Sequence, residues 1–251
     1  MKSILKPLYR ILLSNSNYFR FRVISWLSHN FWFIKSYIEF SKQDKNENFQ
    51  LEFENLYPCL TDKTSTTPLD PTYFYQDAWA CGVLFKKKPI SHVDIGSSAK
   101  TIGILSQFCP VTMVDIRPIE LKLPNLNFQE GTILNLPFET ESQKSVSSLC
   151  VIEHIGLGRY GDPIDAFGSE KSIVELQRIT QSGGTILFSV PVDSRNKVYF
   201  NAHRAFTRDY VIELFDKCIL EEEKYIYGKQ MYDSYSSEKG FGTGLFCFIK
   251  K

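Results

Sequence analysis

A chain of 251 residues with 43% hydrophobic and 23% charged residues is long enough to bury a full core. Its composition excludes wholesale disorder and a multi-span membrane protein. With 29 Lys+Arg against 28 Asp+Glu, the net charge of +1 lacks the basic excess of a domain that coats nucleic acid, so no nucleic-acid partner is expected.

The charge is unevenly placed. From Met1 to Lys42 seven cations face the single acid Glu39, which gives this stretch +6 and leaves −5 for the rest. Ile4, Leu5, Leu8, Ile11 and Leu12 recur at helical spacing, and Phe19, Val23, Trp26, Leu27, Phe33, Ile34, Tyr37 and Ile38 repeat the pattern. Residues 1–44 therefore read as a basic amphipathic helical extension. Its apolar face can pack on the body, mediate dimerisation, or make a peripheral contact with the inner face of a membrane through residues 1–42. The longest uncharged run of this stretch, Val23 to Ile34, falls short of the roughly 20 residues that a spanning helix needs.

Residues 45–89 read as an irregular lead-in punctuated by Pro58, Pro68 and Pro71. Within it Tyr73 to Leu84 is helical in pattern, and Tyr73, Tyr75, Gln76, Asp77 and Trp79 can fold over a site as a lid. Lys86, Lys87 and Lys88 ahead of Pro89 read as a solvated loop. Residues 90–251 form the regular domain. Strands are predicted at His92–Ile95, Val111–Ile116, Leu126–Gln129, Val146–Ile152 and Thr185–Val190, the last after a Ser182-Gly183-Gly184 turn. Helices are predicted at Ala99–Phe108, Glu170–Thr180 and Thr207–Lys217, with Thr207 as N-cap. Two more strands, Lys224–Tyr227 and Leu245–Ile249, follow. This alternation describes an α/β fold, a Rossmann-like parallel sheet with helices on both faces.

In such a sheet ligands bind beyond the carboxyl ends of the strands. The first end is Asp94-Ile95-Gly96-Ser97-Ser98, where Gly96 admits close backbone approach and the small Ser97 and Ser98 keep it open. Asp115 ends the second strand 19 residues after Gly96, the spacing of an acid that binds ribose hydroxyls. A nicotinamide dinucleotide and an adenosylmethionine both fit that spacing. The turn has no second glycine to bring a helix N-terminus onto a pyrophosphate, which disfavours the dinucleotide.

Further segments agree. HVDIGSS, TMVDIR, EGTILNLPF and SLCVIEHIGLG resemble, in order, the first four motifs of the class I S-adenosylmethionine-dependent methyltransferases. SGGTILFSVPV and AHRAFTRDYVIELF resemble their fifth strand and following helix. Within that class YPCLTDK, YFYQDAW, SLCVIEHIGLGRYGDPID and NAHRAFT resemble the uncharacterised family DUF268, whose setting among polysaccharide genes implies a glycan context.

The resemblance implies S-adenosyl-L-methionine as cofactor. It places Asp94 near the methionine amine, Gly96, Ser97 and Ser98 at the close-approach turn, and Asp115 on the ribose. Ile116 would lie beside adenine, Gly131, Thr132 and Ile133 along its edge, and Ser148 and Leu149 beside the methionine portion. Thr132 stands where many relatives have Asp, and Lys144 where an Asp often opens the fourth strand.

The sulfonium is an activated donor, so the protein has to align an acceptor and exclude water. A base is needed for a hydroxyl acceptor. No Asn/Asp-Pro-Pro-Tyr/Phe segment follows the fourth strand, which points away from planar nitrogen and toward oxygen. Glu153 and His154 occupy the catalytic position, with His154 as base. Arg159, Asp162, His203 and Arg204 shape the site for a small-molecule or glycan acceptor. Loop-fixing roles for Glu153 and His154 remain the alternative.

The six cysteines, Cys59, Cys81, Cys109, Cys150, Cys218 and Cys247, form neither a C-x-x-C pair nor a cluster with histidine. No metal site is expected, and reduced thiols in a cytoplasmic protein are. The reading is methyl transfer to a sugar or glycan precursor. The rivals are a catalytically inactive adenosyl-binding scaffold and a nucleotide-sugar or NAD-dependent enzyme.

Overall fold

The computed structural model describes residues 28–43 and 46–251. The chain divides into two compact units, Met1–Pro68 and Leu69–Lys251. In the first, residues 28–43 are helical, as the apolar spacing predicts. The helix expected over Ile4–Leu12 lies outside the described residues. Phe31, Ile34 and Ile38 are exposed along one side of the described helix, and Lys63 Nζ lies 4.9 Å from the Trp32 ring centroid. Among the described residues no helix is long and apolar enough to cross a membrane.

The second unit begins with α1 (Pro71–Lys87). The Asp70 carboxylate caps it by accepting from the Thr72 N–H at 2.8 Å, and Pro71 sits in the first turn, where no N–H is needed. This helix belongs with the sheet, so the lead-in expected over 45–89 divides near residue 68. Next come β1 (His92–Ile95), α2 (Ala99–Leu105), β2 (Val111–Asp115), β3 (Leu126–Glu130), β4 (Gln143–Leu149), α3 (Gly168–Ile179) and β5 (Thr180–Val192). A hairpin of β6 (Lys197–Tyr199) and β7 (His203–Ala205) precedes α4 (Arg208–Leu214), β8 (Cys218–Tyr227), β9 (Gln230–Tyr232) and β10 (Gly242–Lys250).

The main sheet has the order β3-β2-β1-β4-β5-β10-β8-β9. β1 to β5 pair in parallel, and β10 runs antiparallel between β5 and β8. Alternating side chains sort the core into two layers. Trp79, Val83 and Leu84 of α1 meet Ile102 and Leu105 of α2 over Met113, Leu187 and Leu245. On the other face Ile173 and Leu176 of α3 and Val211 of α4 cover Ile95, Val114, Ile186 and Phe188. Thr207 caps α4 as expected, its hydroxyl accepting from the Tyr210 N–H.

Two boundaries differ from the sequence reading. The fourth strand stops at Leu149; Cys150 takes φ +54 and Ile152–His154 forms a 3-10 turn. That left-handed residue swings the chain out of the sheet plane. The Ser182-Gly183-Gly184 segment does not precede the fifth strand but bulges within it, the β4 pairing jumping from Thr180 to Thr185. The strand order reverses between β1 and β4, which opens a crevice at their carboxyl ends.

Candidate active site

A cleft of about 340 Å³ occupies that crevice. On the β1 side Gly96 has φ +70, and a Cβ there would come within 3.0 Å of Val151 Cγ1. Glycine is needed both for conformation and for room. Its missing Cβ would also lie 3.9 Å from Asp115 Oδ2, so a group resting over Gly96 is in reach of that carboxylate. Asp115 Oδ1 accepts from the Arg117 N–H at 2.8 Å, which leaves Oδ2 toward the cleft. Ser97, Ser98, Ile116, Gly131, Thr132 and Ile133 all line the cleft, as the sequence reading expects. Thr132 Oγ1 is turned to the Leu134 N–H at 3.3 Å.

Asp94 and Ser148 are not brought to the cleft wall. Asp94 is fully buried; Oδ1 accepts from the Ser97 N–H at 3.0 Å and Oδ2 from the Ser147 hydroxyl. Behind it His92 Nε2 lies 2.9 Å from Ser147 Oγ and Nδ1 lies 2.8 Å from Ser145 Oγ. Burial pushes Asp94 up to about 6 and His92 down to about 4. The Asp94 carboxyl ties the turn at Ser97 to β4 at Ser147. Ser148 donates to the Ile95 carbonyl at 3.1 Å, which ties β4 to β1. Leu149 and Cys150 present the wall there.

The opposite wall rises from the 3-10 turn. His154 Nδ1 lies 2.6 Å from the Ala202 carbonyl oxygen. A carbonyl only accepts, so Nδ1 carries the hydrogen and Nε2 is left with its lone pair. Burial holds the imidazole below its ordinary pKa, and His154 lines the cleft. Its Nε2 lies 3.6 Å from Glu153 Oε1. Glu153 itself is buried beneath the wall and pushed up to about 8 by desolvation. Its Oε2 has no hydrogen-bond partner among the described residues.

The expected acceptor residues separate. Asp162 lines the cleft, but its carboxylate accepts from the backbone N–H groups of Gly156 at 2.6 Å and Tyr160 at 3.2 Å. Arg159 sits outside the wall, donating to the Ala202 carbonyl at 2.9 Å and lying 5.1 Å from the Tyr160 ring. His203 packs with Tyr199 and Phe241, ring centroids 5.0 and 5.4 Å away. Arg204 does not line the cleft. Its guanidinium is buried and donates to the carbonyls of Ile155 at 2.5 Å, Asp165 at 3.1 Å and Ala166 at 3.3 Å, so it braces the 155–166 loop.

The sequence reading did not assign Arg117, Cys150 or Tyr160 to the site, yet all line the cleft. Arg117 stands two residues beyond Asp115, a signal available in TMVDIR. Tyr160 meets the Arg117 guanidinium at 4.7 Å and the His154 ring edge-on at 5.6 Å. Of the expected lid residues Tyr73 alone reaches the cleft; Gln76 and Trp79 are buried in the core. Among the described residues no cluster of histidine, cysteine and carboxylates could hold a metal ion.

Solved structures share this architecture. A 1,6-didemethyltoxoflavin-N1-methyltransferase from Burkholderia thailandensis, with its substrate and S-adenosylhomocysteine bound, is 14% identical at a TM-score of 0.52, covering 74% of this chain and 93% of its own. A geranyl diphosphate methyltransferase in complex with SAM is 11% identical at 0.52, with 70% and 85% covered. The fold is that of the class I methyltransferases. The cyclase SpnF has it too, at 8% identity and 0.53 over 69% and 81%, so the class I methyltransferase fold by itself does not name a reaction. Residues 135–215 match the family described as Caenorhabditis protein of unknown function, DUF268. No curated protein matches the sequence.

Proposed function

We propose that the chain binds S-adenosylmethionine in this cleft and transfers its methyl group to a hydroxyl of a sugar or glycan precursor. The carrying observation is the pairing of the open turn at Gly96 with the Asp115 carboxylate 3.9 Å from its missing Cβ. That pairing suits an adenosyl ribose laid across the turn, and the single glycine suits a cofactor without a pyrophosphate. When bound, the cofactor supplies a methyl group activated by its sulfonium.

Gly96 and Ser97 give room for the ligand backbone, Asp115 accepts from the ribose hydroxyls, and Ile116 and Ile133 pack on adenine. His154 acts on the acceptor side. The Nδ1–H bond to Ala202 fixes the ring, and Nε2 is the atom that would hold the proton given up by the acceptor hydroxyl. Glu153, carrying its own proton near neutral pH, leaves the imidazole uncharged beforehand. Tyr73 and Tyr160 close the cleft against water. We place the protein in the cytoplasm, with residues 1–42 making a peripheral membrane or dimer contact; the exposed Phe31, Ile34 and Ile38 stripe supports that reading.

Calorimetry with S-adenosylmethionine, S-adenosylhomocysteine and NAD tests the cofactor. Binding of both adenosyl ligands and not of NAD is the expected result; binding of neither overturns the reading. Binding without turnover on any hydroxyl acceptor leaves the non-catalytic scaffold.

A further inference from the structure

A second surface of the Leu69–Lys251 unit is apolar. A groove of about 710 Å³ lies between the last turns of α1 and α2, lined by Leu84, Phe85, Lys88, Leu105 and Phe108 among others. Phe85 and Phe108 are each 69% exposed, and Ile90, next to the lining Pro89, is 89% exposed. Contiguous exposed apolar patches mark interaction surfaces.

The rim is basic. Lys86 and Lys88 are exposed, Lys87 pairs with Glu221, and no acidic residue lines the groove. Lysines suit a helix C-terminus, but that does not account for the conformation of Lys88. It sits at φ +46 and ψ +57, a left-handed cap where glycine is the least strained residue. The lysine is kept there against a backbone cost.

Charge discriminates among occupants. A second copy would set the same lysines against each other, and residues 1–42 carry +6, again the same sign. An anionic surface complements all of them. We propose that this face docks on an anionic lipid bilayer, with Phe85, Ile90 and Phe108 at the boundary of headgroups and acyl chains and Lys86 and Lys88 on the headgroups. Pro89 leads into the start of β1, at the end of the sheet opposite the cleft, so docking leaves the cleft facing away from the lipid.

Co-sedimentation of the full chain with phosphatidylcholine vesicles, with and without phosphatidylserine, tests this. Binding should depend on phosphatidylserine. It should fall roughly tenfold or more in Phe85→Ser/Phe108→Ser and in Lys86→Gln/Lys88→Gly. The second variant has a further signature: relief of the left-handed lysine should leave its melting temperature equal to or above wild type while lipid binding drops. No binding by wild type, or equal binding by wild type and both variants, overturns the proposal. So does a dimer in equilibrium sedimentation that the phenylalanine variant dissolves.

Discussion

His154 Nδ1 and the carbonyl oxygen of Ala202 lie 2.6 Å apart across 48 residues of sequence. That bond fixes which imidazole nitrogen bears hydrogen and leaves the other, 3.6 Å from Glu153 Oε1, with its lone pair. Long-range nitrogen-15 spectra should show a neutral Nδ1–H tautomer at pH 7, since burial lowers the His154 pKa. His154→Ala should cut methyl transfer to a hydroxyl acceptor by about 10²- to 10⁴-fold and leave S-adenosylhomocysteine affinity unchanged. An unchanged rate would remove the base assignment.

Cofactor binding should depend on the first two strand ends. Asp115→Ala removes a charged hydrogen-bond acceptor, a loss of about 1.5–3 kcal/mol, so calorimetry should show S-adenosylhomocysteine binding about 10- to 100-fold more weakly. Gly96→Ala should also weaken it, because the new Cβ meets Val151 at 3.0 Å and φ +70 disfavours any side chain.

Glu153 should govern stability on the alkaline side. Its folded pKa of about 8 lies above the ordinary glutamate value of 4.5, so between these pH values the folded state holds a proton that the unfolded state releases. Stability is greatest below the lower value and is lost as pH rises through 8. Asp94, raised to about 6, has the same sign, whereas His92, lowered to about 4, has the opposite sign; these two offset each other over roughly pH 4 to 6. Denaturant melts of wild type should therefore weaken steadily from about pH 4.5 to 8, and Glu153→Gln should flatten that slope.

Arg204→Ala should be a folding defect. Removing the fork strips partners from the Ile155, Asp165 and Ala166 carbonyls, at about 3 kcal/mol or roughly 6–12 °C in Tm. Arg204→Lys should not restore it, because an ammonium cannot span three carbonyls in one plane. Retained stability with weakened acceptor binding would instead return Arg204 to the site.

The long elements and the Gly96 and Asp115 side of the cleft were legible because their signals are local. Strands ending in Asp94-Ile95-Gly96 and in Asp115 announce themselves by apolar runs that stop at a turn residue or an acid. The β6–β7 hairpin was not legible, since three-residue strands are too short for any periodicity. Nor was the end of β4, where Cys150 takes a left-handed conformation that neither its type nor its neighbours signal. The surroundings of Arg204 were not legible either: an arginine beside a histidine suggests ligand binding, whereas the structure sets its guanidinium on three backbone carbonyls. The burial of Asp94 was hidden for a related reason, its partner Ser147 lying 53 positions away.

The helix α1 is fastened along its whole length. Gln76 accepts from the Ser189 hydroxyl at 2.6 Å, Asp77 from Thr101 at 2.6 Å, Trp79 donates to Glu222 at 2.9 Å, and Lys87 pairs with Glu221 at 2.6 Å. Four ties between Gln76 and Lys87 hold the helix whose first turn carries Tyr73 to the cleft. The facing 155–166 loop is held as well, by the Arg204 guanidinium on the Ile155, Asp165 and Ala166 carbonyls and by the Asp162 carboxylate on the Gly156 N–H. Both walls of the cleft are therefore set by contacts within the protein itself.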